Sequence, residues 1–248
     1  MIESPVTSPL NGALRFIHYA FMPNRLRYCG GDDNRTLFEY GIENTTDGGL
    51  SPLLRRFTGA LPYLQLIARA NGIADPFDPR VVEAYWIGNQ LLDHVEVRQL
   101  YDHLLDRFGK QLQGRTRELV LGKAPTGARP HHSFHVLDVH SRVGELEHSL
   151  QTLDGCRVSW GRVLAVGGAQ LLVERQPLVL EQGKLGLGEA QRTRMVRQVD
   201  GRGFADAAEV GDWVSLHWGW VCEVLTPHQQ VNLARYTRHR LALANQTL

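Results

Sequence analysis

The stretch Val210-Gly211-Asp212-Trp213-Val214-Ser215-Leu216-His217-Trp218-Gly219-Trp220 decides the fold. From Trp213 onward it is rich in aromatic and β-branched residues, and Trp213 to Val224 reads as the last strand region of a β unit. Alternation along an extended strand places Trp218 and Trp220 on one face and His217 and Gly219 on the other. The aromatic cluster Trp213, Trp218 and Trp220 reads as barrel core and interface, with Gly219 allowing a partner backbone to approach beside His217.

Upstream of this stretch the same period holds back to Cys156. Val158, Trp160, Val163, Leu164 and Val166 lead into Gly167-Gly168, and Leu171 to Glu174 follows. Pro177 to Glu181 closes at Gln182-Gly183, and Met195 to Val199 ends at Asp200-Gly201. Short strands at this spacing, punctuated by turn dipeptides, argue for a small barrel. Downstream, Thr226 as N-cap, Pro227 at the first helical position and Gln229 three residues after the cap spell a capping box. Val231, Leu233, Tyr236 and Leu241 supply an apolar stripe for the helix that follows.

The N-terminal part has a different texture. Ala13 to Tyr28 mixes aromatic and apolar residues without a clear period and breaks at Cys29-Gly30-Gly31-Asp32-Asp33, which reads as extended or irregular structure entering a turn. Thr45 to Leu50 reads as a loop. Helical spacing follows from Ser51-Pro52 through Leu53, Leu54, Phe57, Leu61 and Leu64, with Pro62 expected to kink or split the helix. Asp78-Pro79 starts another helix, expected to extend or restart near Val97 and run on through Leu104 and Phe108. Gly122 to Pro130 reads as a loop. His131-His132-Ser133-Phe134-His135-Val136-Leu137-Asp138-Val139-His140 alternates from Ser133 and reads as a strand; Glu145 to Leu153 gives one or two helical turns. The expected class is α+β: a mainly helical domain over residues 1–153, then an OB-like β-barrel with a C-terminal helix over 154–248.

Composition narrows the function. The 248 residues carry 27 Lys plus Arg against 26 Asp plus Glu, a balance that argues against nucleic acid or an anionic membrane as partner. No apolar run approaches the roughly 18 to 20 residues of a membrane span, and the N-terminal residues lack the pattern of a signal peptide, so a cytoplasmic protein is expected. Cys29, Cys156 and Cys222 match no zinc spacing; in a reducing compartment they read as buried thiols or site residues. No Ser-His-Asp spacing, phosphate loop or dinucleotide fingerprint occurs, and no catalytic residue is assigned.

The C-terminal part resembles the HypC/HupF family of nickel-iron hydrogenase maturation chaperones. Cys156-Arg157-Val158-Ser159-Trp160-Gly161-Arg162-Val163 has that family's spacing from cysteine to the glycine of the first strand. Val210 to Trp220 follows its Val-Gly-Asp-aromatic-Val, His and Gly-aromatic order position by position, and the helix after Thr226 follows as it does there. Three departures stand beside the match. Cys156 is internal, behind Gly155, whereas the family's cysteine becomes N-terminal after processing. Gln176 to Gln198 is longer than the family's middle strands, implying an extended hairpin, and the helical part has no counterpart in the small chaperone.

The resemblance implies a non-enzymatic accessory factor. Its partners would be a HypD-type maturation protein and the hydrogenase large subunit, and its transient cargo an iron bearing cyanide and carbon monoxide. Cys156 and His217 would be the iron- and partner-binding residues, Trp218, Gly219 and Trp220 would lie at the partner interface, and Arg162 and Asp212 would stabilise local turns. Thiolate suits such an iron, and neutral imidazole ligates metals.

A second set of candidate metal ligands lies in the helical part: His131, His132, His135 and Cys29. In a helix, positions 131 and 135 share a face; in a strand, 131, 133 and 135 do. This set supports an alternative, a metal-dependent enzyme, although it has no carboxylate at a recognised spacing. A third alternative is a pure interaction scaffold. Free cysteines and strand histidines are otherwise commonly core residues.

Overall fold

A computed structural model describes residues 10–140 and 149–248. The class is α+β: helices first, then a β unit, then one long helix. The helices of the first part are α1 (Gly12–Arg25), α2 (Asn34–Glu43), α3 (Leu50–Arg55), α4 (Leu61–Ala70), α5 (Pro79–Trp86), α6 (Val97–Phe108), α7 (Gly114–Leu121) and α8 (His132–Phe134), the last running on as π-type turns over His135–His140. Among the described residues, no helix is long and apolar enough to cross a membrane.

Two expectations fail here for one reason. Ala13 to Tyr28 is not extended: it is mostly α1, capped by Asn11, whose side chain accepts from the amides of Ala13 and Leu14. His131 to His140 is not a strand but the short helix α8 and its π-type continuation. Both segments are buried on nearly every face, Leu14, Phe16, Ile17, Tyr19, Ala20 and Phe21 in the first and Phe134, Val136, Leu137 and Val139 in the second. A helix buried all round shows no 3.6-residue period, so pattern alone does not separate it from a strand. Pro62 splits its helix, standing in the first turn of α4, where a missing N–H costs nothing. Asp78 caps α5 by accepting from the Arg80 amide, and the restart near Val97 is α6. Of the turns expected over Glu145 to Leu153, those before residue 149 lie outside the described residues.

The β unit comprises β1 (Ser159–Gly167), β2 (Gln170–Arg175), β3 (Leu178–Glu181), β4 (Lys184–Leu187), β5 (Gln191–Val196), β6 (Trp213–His217) and β7 (Trp220–Leu225). Five strands close in the order β1-β2-β5-β7-β6, with β6 returning to β1 through Ser159↔Leu216 to Arg162↔Trp213. The β5–β7 seam is a single parallel pair, Val196↔Trp220. Val163, Leu171, Val173, Met195, Val214, Leu216 and Val221 fill the interior. β3 and β4 form a separate hairpin turning at Gln182-Gly183, both at positive φ. It leans on the terminal helix (Pro227–Ala244), where Asn245 exchanges hydrogen bonds with the backbone of Leu185.

Cys156 does not open the first strand. It ends a short helix, Leu150–Cys156, and β1 begins at Ser159. That helix runs across the expected boundary at residues 153/154, and the largest core is continuous over it, joining α1 and α5 to Trp160, Trp220, Cys222 and Leu233. Trp220 turns out of the barrel against Phe21, with ring centroids 5.2 Å apart. Gln229 forms the capping box with Thr226 and also donates to Glu83 of α5. Tyr236 of the same helix donates to Asn89 O at 2.9 Å, and its ring fills the space a Cβ would take at Gly88, which has a φ of 99°.

Candidate metal centre at the junction of helices and barrel

The β6–β7 turn is built by Trp218 and Gly219, both at positive φ, so Trp218 is a turn residue and not part of an alternating strand. This two-residue turn makes His217 and Trp220 direct cross-strand partners. Trp218 N–H donates to Gly155 O at 2.8 Å, which pins the end of helix Leu150–Cys156 against the turn. The indole stacks on Tyr28 with centroids 4.0 Å apart. Trp218 thus lies half-buried at the site, whereas Trp220, expected at a partner interface, is fully buried inside the chain.

Around this turn three donors converge. The ligating atoms of His132, Cys156 and His217 lie within 4.8 Å of one another. His217 is held by α1: its Nδ1–H donates to Tyr19 O at 2.7 Å. Because a carbonyl only accepts, this bond fixes the tautomer and leaves a lone pair on Nε2. That Nε2 is buried and has no hydrogen-bond partner among the described residues. His132 lies between Tyr85, whose hydroxyl is 3.1 Å from Nδ1, and Cys156 O, 2.9 Å from Nε2. Its ring meets that of His217 edge-on at 5.1 Å and lies 4.5 Å from that of Trp86.

Burial sets the protonation states. It pushes His217 down to about 4 and His132 well below its ordinary value, so both rings are neutral at pH 7. It pushes the Cys156 thiol up to about 12, with the nearby Cys29 acting in the same direction. Two neutral imidazoles and a thiol needing only a cation to displace its proton form a donor set suited to a thiophilic metal.

A cavity of about 350 Å³ opens beside the cluster. Tyr28, Phe57, Tyr85, Trp86 and Trp218 give it aromatic walls; Cys29, Arg56 and His135 line it together with the three donors. Cys29 sits in a bend fixed by Asn24, whose side-chain amide donates to Cys29 O and Gly31 O. Gly30 has φ 81°, and a Cβ there would meet Phe57 and Asn24. The residue is exposed overall, yet its thiol is desolvated and raised to about 12.

Of the residues singled out from the sequence, Cys156 and His217 therefore meet, and His132 joins them. Cys29 and His135 line the same cavity, His135 lying 3.4 Å from the Tyr63 hydroxyl. His131 turns away: it caps α8 through Ser133 and stacks on Tyr236. Tyr19 and Tyr85, which hold the two rings, carry no signal in a linear reading. Cys222 is buried in the core, with Sγ 3.8 Å from Trp220 O.

No curated protein and no solved structure matches this chain. A family model does match, over residues 8–248, and so takes in every donor of the site together with both parts of the fold: the chain belongs to a family of unknown function, DUF6390.

Proposed function

We propose that the protein is an accessory factor of nickel-iron hydrogenase maturation, one that receives an iron bearing cyanide and carbon monoxide and passes it to a client. The observation that carries this reading is the meeting of Cys156 and His217, the two residues singled out by the HypC-like motifs, beside an open cavity. A low-spin iron favours thiolate and imidazole donors, and the buried Nε2 of His217 finds no proton donor among the described residues. The aromatic walls would keep water from the bound fragment. Arg56, at the cavity lining and paired with Asp33, puts a cation where an anionic cyanide-bearing group would approach.

Cys156 is internal and has no free amine of its own, and His132 supplies a nitrogen donor in the same neighbourhood. The helical part would also hold the client. The test is affinity purification of the tagged full chain from cells expressing hydrogenase genes: a HypD-type protein or the large subunit should be recovered with it. Recovery of neither sinks the reading.

A metal-dependent enzyme working from the helical part alone has weaker support. Of its set His131, His132, His135 and Cys29, only His132 belongs to the converging cluster, and His131 faces away from it.

A further inference from the structure

We propose that His132, Cys156 and His217 form a mononuclear site for a divalent first-row transition ion, assembled by this one chain from both of its parts, with a fourth coordination position opening on the cavity. It rests on the proposed maturation role only for the identity of the natural cargo.

The three donors come from three separate places: α8, the end of helix Leu150–Cys156, and the last residue of β6. Each is held by something other than the metal. Tyr19 O orients His217, Tyr85 faces His132 Nδ1, and the Trp218 amide fixes Gly155 next to Cys156. A ring nitrogen bonded to a carbonyl or hydroxyl opposite its ligating nitrogen is the usual outer support of a metal-bound histidine.

The spacing is that of a site able to contract onto an ion. Around a tetrahedral ion with bonds of about 2.0 to 2.3 Å, donors stand about 3.5 Å apart. The present 4.8 Å limit is an ångström or so wider, within reach of side-chain rotation. Binding costs His132 its bond to Cys156 O if Nε2 is the ligating atom; the ring proton then moves to Nδ1, which donates to the Tyr85 oxygen. The Cys156 thiol releases its proton to solvent as the metal–sulfur bond forms.

Three protein donors and an adjacent cavity are the arrangement of sites that exchange ligands, whereas closed four-donor sites are structural. The donor set of two imidazoles and one thiolate excludes magnesium and calcium and selects zinc, iron(II), cobalt(II) or copper. Cys29 lines the cavity but lies outside the converging group, so it borders the site and is not among the ligands.

The test uses metal-free, reduced full-length protein titrated with cobalt(II), and with zinc(II) against a chromophoric chelator. The expected result is one equivalent bound, with tetrahedral d–d bands and a thiolate-to-cobalt charge-transfer band. Cys156→Ser should abolish the charge-transfer band, and His132→Gln should weaken binding roughly 100-fold or more, beyond the 10- to 100-fold typical of losing an outer support. Circular dichroism checks that each variant is folded. X-ray absorption on the loaded wild type needs no variant and should show one sulfur and two imidazole nitrogens. No stoichiometric uptake by the wild type, or a bound ion without sulfur, overturns the site; two sulfurs overturn the open fourth position. Metal uptake with no maturation partner recovered would sink only the maturation role, and a recovered partner with no metal uptake would sink only this site.

Discussion

His132 Nε2 donates a 2.9 Å hydrogen bond to the carbonyl oxygen of Cys156, 24 residues further along the chain. The bond joins α8 to the residue that ends helix Leu150–Cys156, and it sets the two candidate ligands side by side before any metal arrives. His217 reaches the same point from the barrel through its bond to Tyr19 O. The site is therefore a product of how the two parts dock.

Tyr85 acts on the site through His132. Tyr85→Phe removes the hydroxyl 3.1 Å from Nδ1 while leaving the ring stacked on Tyr63 and edge-on to Trp86. Metal affinity should fall by roughly 10- to 100-fold with stoichiometry unchanged. Cobalt titration checks this, and an unaltered affinity would show that the hydroxyl does not orient the ring.

Asp138 is the electrostatic anchor of the terminal helix. Its carboxylate is fully buried between Lys123, at 3.3 Å, and Arg240, at 2.8 Å. Asp138→Ala removes the carboxylate shared by two buried cations and should cost about 3–5 kcal/mol, the typical penalty for breaking a buried ion pair from one side. Urea unfolding should show a lower midpoint at an unchanged slope.

Gly30 shapes the mouth of the cavity. Its φ of 81° is unfavourable for any side chain, and a Cβ would stand 2.6 Å from the Phe57 ring. Gly30→Ala should cost roughly 1–3 kcal/mol of local strain and displace the bend that carries Cys29. The readout is the alkylation rate of Cys29, which should rise as the thiol loses its desolvated position.

His18 predicts acid lability. Burial holds its pKa at about 3, against an ordinary 6.5, with the ring stacked 4.4 Å from that of Phe204. Between those values the unfolded chain binds the proton and the folded chain does not. The neutral ring's contribution is thus complete above about pH 6.5 and is lost as the pH falls toward 3. His18→Gln should flatten the stability profile in that window by about 1.4 kcal/mol per pH unit, the value of one proton. Chemical denaturation at a series of pH values measures it.

Local chemistry made much of the architecture legible. The capping box at Thr226 and Gln229, the Asp78-Pro79 helix start and the hairpin turn at Gln182-Gly183 all form as read, because each depends on hydrogen bonds or φ values within a few residues. Where burial surrounds an element, that legibility ends. α1 and the His131 to Val139 segment lose their periodicity because almost no face of either is left to water, and a run of apolar residues then fits helix and strand alike. Trp218 departs from the strand pattern for a different reason: a non-glycine residue at positive φ turns an apparent strand into a two-residue turn.

The candidate site divides along the same line. Cys156 and His217 stand out in the linear sequence because each lies in an ordered local motif, and the His131, His132 and His135 group stands out by composition. Which of those histidines faces the sulfur was decided only by tertiary structure: π-type turns following α8, docking of α1 behind β7 and the Trp218-Gly219 turn bring His132 in and send His131 to Tyr236. Sequence spacing carries information about what a residue's neighbours make it do. Convergence of donors from three distant segments depends on packing between elements, a sum of many weak contacts that leaves no local mark.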